Sequence, residues 1–70
     1  MARALGVYTI RIRGRLGATA QSAFPAMQCE LTGSETVLTG PLEDRSTLFG
    51  VLFQIEALGL ELIEVRRARS

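Results

Sequence analysis

Residues 11–21, RIRGRLGATAQ, place an arginine-rich strand end, two glycines three apart and a small-residue helix start in succession. Those are ingredients of a phosphate site, because free backbone N–H groups at a helix start attract anions and Arg15 adds positive charge there. The remaining ingredients are missing. A P-loop needs more glycine-flanked N–H groups and a Lys-Ser/Thr pair, and the chain contains no lysine. The dinucleotide fingerprint needs a third glycine and an acidic residue about twenty positions on. The RNA-clamping GxxG loop of KH modules sits between helices, whereas this loop follows a strand. Residues 14–17 therefore read as a turn, with an anion contact through Arg15 as the alternative.

Other chemistry-bearing residues are few. Histidine, the commonest general base and metal ligand, is absent from the 70 residues. Glu43-Asp44 is the only adjacent acidic pair. Neighbouring positions point apart, and Asp44 suits a helix N-cap better than a two-carboxylate acid/base site. Cys29 is alone, so no intramolecular disulfide forms, and it reads as a small buried hydrophobe in a reducing cytoplasm. No catalytic, cofactor-binding or metal-ligating set emerges. Arg11, Arg13, Arg15, Asp44 and Arg45 remain as candidate ligand or partner contacts. All eight basic residues are arginine and the net charge is +1. The first point reads as GC-rich coding, and the second gives no general reason to expect a polyanion partner. Aromatic interleaving for base stacking is missing beside the arginines, so neither DNA nor RNA is expected to bind tightly. Residues 1–6 lack the apolar run of a signal peptide, and no stretch approaches a membrane span. The expectation is a cytoplasmic protein with no membrane contact.

The elements that would position these residues alternate clearly. Residues 7–13 have period-two alternation, with Tyr8, Ile10 and Ile12 on one face and Thr9, Arg11 and Arg13 on the other. Residues 18–24 form a short alanine-rich helix stopped by Pro25. Residues 27–32 give a second strand with Cys29 and Leu31 inward and Glu30 outward. Gly33-Ser34 turns the chain into residues 36–39, and Gly40-Pro41 ends that strand. Asp44 caps a helix over residues 45–58, and Gly59 closes it in the left-handed region. Residues 60–66 form the last strand, with Ile63 and Val65 inward and Leu62, Glu64 and Arg66 outward; residues 67–70 are a polar tail.

The order β-α-β-β-α-β in a single domain of 70 residues, with an ordered core over about 6–67, predicts a ferredoxin-like α+β sandwich. This is a four-stranded antiparallel sheet with both helices on one face. Handedness favours the third strand between the first and second, and the fourth beside the first. The open face would carry Thr9, Arg11, Arg13, Glu64 and Arg66, opposite charges pairing across the ladder. On the second helix Leu48, Val51, Leu52, Ile55 and Leu58 form one stripe for the sheet. Phe49 and Phe53 lie on another flank. Either they cover Ala20 and Ala23 of the first helix, or they are exposed as an interface.

Residues 42–65, LEDRSTLFGVLFQIEALGLELIEV, resemble the strand-Asp-Arg-Pro-Gly-helix-Leu-Gly-strand pattern of ACT domains. Asp44-Arg45, Leu48, Ile55, Leu58-Gly59 and Ile63 match in type, while Ser46-Thr47 stands where that family has Pro-Gly. The resemblance implies a ferredoxin-like fold and binding of a small effector at a domain interface. The chain is also similar to small uncharacterised proteins of GC-rich bacteria that share a VLTGPL-D---L-GVL--I--LGLEL block. The leading expectation is a non-enzymatic association or regulatory module, a homodimer or a protein docked to a partner, with ACT-like sensing of a small ligand and no cofactor. The alternatives are a cofactor-free enzyme of the dimeric α+β barrel type, an isomerase or monooxygenase, and a nucleic-acid-binding module.

Overall fold

A computed structural model describes residues 6–69; residues 1–5, on which the reading of the leader partly rests, and Ser70 lie outside it. Six elements follow in the order β1 (Gly6–Arg13), α1 (Ala18–Gln21), β2 (Gln28–Thr32), β3 (Glu35–Leu42), α2 (Arg45–Ala57) and β4 (Glu61–Arg69). The strands form one antiparallel sheet in the order β2-β3-β1-β4. The placement of β3 between β1 and β2, and of β4 beside β1, is the one expected from handedness.

The alternation in β1 holds: Ile10 and Ile12 are fully buried, and Tyr8 packs half-buried beside them. With Leu38 and Leu42 from β3 they form the sheet side of a single core, which Leu16, Phe24, Met27 and Ile55 complete. Residues before, after and within the helices thus converge on one cluster of strand side chains.

The first helix is shorter than the expected span of residues 18–24. No side chain caps its start, and after Gln21 the chain tightens into i→i−3 hydrogen bonds from Ala23 to Ala20 and from Phe24 to Gln21. An isolated alanine-rich turn has little stability of its own. The tighter winding accompanies burial of Phe24 in the core.

β3 runs through Gly40-Pro41 instead of ending there. Pairing with β2 stops at Gln28↔Thr39, so beyond Thr39 the strand pairs only with β1 among the described residues. A proline without an N–H is tolerated where one side of the strand is free. Gly40 answers a different need. A Cβ there would stand 2.7 Å from the Ala26 carbonyl oxygen and 3.0 Å from the Met27 Cα. Both obstacles are backbone, so Gly40→Ala is expected to cost about 1–3 kcal/mol by overpacking, measurable as a lower urea midpoint. An unchanged midpoint would mean that the segment before β2 does not rest on β3.

β4 differs from expectation at both ends. It extends over the supposed polar tail to Arg69. A bulge at its start leaves Arg11 opposite Glu64 and Ile12 opposite Leu62, with Ile63 as the extra residue. Leu62 therefore belongs to the helix-facing side with Ile12, not to the open face. Val65 sits opposite Ile10 as expected.

Candidate functional site

The glycine loop is consumed by structure. Gly14 N–H donates to the Ser34 carbonyl, and the Arg15 guanidinium donates to the Gly33 carbonyl at 2.9 Å. Leu16 N–H donates to Thr36 Oγ1 at 3.1 Å, and that hydroxyl in turn donates to the Gly14 carbonyl at 2.7 Å. Thr36 is fully buried. The loop is thus bound to the β2–β3 turn and the start of β3 by its own polar groups and turns the chain at the end of the central strands.

The open face gathers two of the charged candidates, Arg11 and Arg13. Arg11 lies 3.4 Å from both Glu35 and Glu64, Arg13 lies 3.1 Å from Glu61, and Arg66 approaches Glu64 at 3.4 Å. Glu30, Val37, Arg11 and Glu64 occupy one row across four strands. Arg13 and Glu61 are an exposed pair that fixes side-chain orientation more than it stabilises, whereas Arg11, Glu35 and Glu64 are half-buried.

Asp44 and Arg45 stand apart from that face, at the start of α2. Asp44 Oδ1 accepts from the Thr47 N–H and the Thr47 hydroxyl, each at 2.8 Å. These two bonds, the backbone one foremost, hold its carboxyl below the ordinary aspartate range. A depressed folded value means that the cap's contribution is present above the unfolded-state value near pH ~4 and is lost as pH falls through the folded one. Melting temperatures of the native chain and Asp44→Ala are expected to differ at neutral pH and converge in acid. A constant gap would contradict the cap's role. At the other end, Leu60 N–H donates to the Ile55 carbonyl and Gly59 N–H to the Glu56 carbonyl, with Gly59 at φ 74°. This is the left-handed closure that the sequence predicts. Cys29 is half-buried on β2, opposite Leu38, and burial pushes its thiol pKa up.

Phe49 and Phe53 depart from the first of their two readings. They are 61% and 70% exposed, so they do not form a cover over Ala20 and Ala23. Ile55 is the one buried residue of α2. Leu48, Val51 and Leu52 are half-buried against the core, while Leu58 is exposed. Between α2 and β4 a groove of about 290 Å³ opens, lined by Leu52, Ile55, Glu56, Leu60 and Leu62. Leu62 and Val65, on the helix-facing side of β4, remain 43% and 37% exposed. The apolar side chains of α2 thus continue past the groove to an uncovered strand edge. The two phenylalanines were recognisable from their spacing. The groove was not, because it depends on the bulge that turns Leu62.

Among the described residues, no helix is long and apolar enough to cross a membrane. No cluster of three or more His, Cys, Asp or Glu there could hold a metal ion. A family model described as Domain of unknown function (DUF8691) matches residues 7–66. No curated protein and no solved structure matches.

Proposed function

The chain belongs to the family described as Domain of unknown function (DUF8691), and we propose that this member is a non-enzymatic module that works by association. Its working face is the outer flank of α2 with the groove beside β4. The observation that carries this reading is the exposure of Phe49 and Phe53 on a helix whose sheet-facing side is already occupied by Leu48, Val51 and Ile55. Two large aromatics one turn apart, continuous with an apolar groove, form the kind of patch that marks a protein contact.

The element order and strand order support a ferredoxin-like arrangement, in which two interleaved β-α-β units share one sheet. An enzyme of the dimeric barrel type would enclose its pocket between open sheet faces. Here Arg11, Arg13, Glu35, Glu61 and Glu64 cover that face with ion pairs, which favours the association reading. Glu56 is the groove's one charged wall, and the rest is leucine and isoleucine. Protein side chains suit it better than an ACT-like effector.

A photoreactive benzoylphenylalanine at position 53 tests the reading in growing cells. A discrete covalent adduct, to whatever protein, is the expected result. Illumination that yields no discrete adduct would contradict association through this face.

A further inference from the structure

The outer flank of α2 is patterned along the helix as well as around it. At 100° per residue, Leu52, Arg45, Glu56, Phe49 and Phe53 fall in that angular order within a sector of about 100°. Along the axis the order is Arg45, Phe49, Leu52, Phe53 and Glu56: a cation at the start, apolar residues in the middle and an anion at the end. Arg45 and Glu56 stand roughly 16 Å apart, and neither has an ion-pair partner among the described residues.

Resting on the association reading above, we propose that the occupant of this face is a second copy of the chain, its α2 antiparallel to the first about a two-fold axis. A two-fold contact must be self-complementary, so that what one copy offers the other accepts. This stripe meets that condition. Antiparallel superposition about its midpoint sets Arg45 of one copy opposite Glu56 of the other, at both ends of the contact. It also brings Phe49 level with Leu52 and within one residue, about 1.5 Å, of Phe53. A parallel arrangement would face arginine with arginine and glutamate with glutamate.

The groove supplies the complementary shape. A cavity of about 150 Å³ suffices for a benzene ring, so the 290 Å³ beside Leu52 and Leu62 accepts a phenyl side chain from the other copy. Taking roughly 200 Å² for a whole phenylalanine side chain, Phe49 and Phe53 expose on the order of 250 Å² between them. With Leu62, Val65 and the groove walls, two copies bury on the order of 1,000 Å². This is the low end for a specific interface, in the range of weak and transient contacts. Pairing through the β4 edge is disfavoured by that strand's two register shifts and by Arg66 and Arg67, which blunt an edge against strand addition.

Sedimentation equilibrium on the full chain, from about 5 to 500 μM, reads the proposal directly. A monomer–dimer equilibrium is expected. Phe53→Glu should weaken it by at least about 30-fold with an unchanged circular dichroism spectrum. Glu56→Arg and Arg45→Glu should each weaken the dimer, and the double charge swap should restore it. Because the swap restores only a contact between these two positions, it separates the proposed geometry from other dimers. A monomer across the whole range overturns the proposal. So does a dimer indifferent to Phe53→Glu, or a charge swap that restores nothing. A cross-linked adduct to a different protein would likewise overturn the second copy while leaving association through this face standing.

Discussion

Replacing Thr36 by valine is expected to lower the stability of the chain by about 2–3 kcal/mol, although valine has nearly the same shape. The Thr36 hydroxyl joins the Leu16 N–H to the Gly14 carbonyl at the end of the central strands. In the valine variant the buried Leu16 N–H has no acceptor, and an orphaned buried donor costs about 1–3 kcal/mol. The Gly14 carbonyl is only partly buried and recovers water, so its share is smaller. A domain of this size has on the order of 4–10 kcal/mol in total, so the loss is a large fraction. Thr36→Ser keeps the bridge and removes one methyl group. Urea unfolding should therefore separate the two variants clearly, with valine the less stable. Equal midpoints would show that the hydroxyl bridge contributes nothing beyond packing.

Ile55→Ala is expected to have the other large effect, about 2–5 kcal/mol, and a different character. Ile55 is the single buried anchor of α2; Leu48, Val51 and Leu52 assist it only half-buried. Truncating Ile10 removes a side chain from the middle of the sheet and loosens everything around it. Truncating Ile55 removes the attachment of one helix. Hydrogen exchange followed residue by residue should show α2 amides losing protection while β1 and β3 retain most of theirs, as a separate low-stability unit. Uniform loss over helix and sheet would mean that α2 is integral to the core and not a lightly docked layer.

Light docking of α2 also explains how far the sequence could be read. Period-two alternation in β1 assigns Ile10 and Ile12 to the core and Arg11 and Arg13 to the open face, because one face of that central strand is dry. The Asp44 cap and the Gly59 closure were legible for a similar reason: a side chain or a φ at one position decides them. Leu62 was not legible. Its orientation depends on one extra residue in β4, and a bulge leaves no mark in an apolar-polar pattern that reads equally well in either register. Thr36 carries a legible signal, since it shares the alternation of Leu38 and so faces inward, where a hydroxyl requires partners. The arginines beside the glycine loop invited a phosphate reading that local geometry answers otherwise, with Arg15 held by the Gly33 carbonyl. Phe49 and Phe53 lie between these cases. Helical spacing separates them from the core stripe, but whether α1 extends far enough to lie beneath them depends on where that short helix stops.

The central claim is that Phe49 and Phe53 serve association and not the chain's own core. Thermal unfolding of the native chain and of Phe49→Gln/Phe53→Gln, each from about 5 to 500 μM, tests it most directly. At the lowest concentration the two should melt nearly together, because both aromatics are mostly exposed in the single chain. At higher concentration the native midpoint should climb while that of the double variant stays flat. A double variant that melts below the native chain by the same interval at every concentration would place both phenylalanines in the core and contradict the claim.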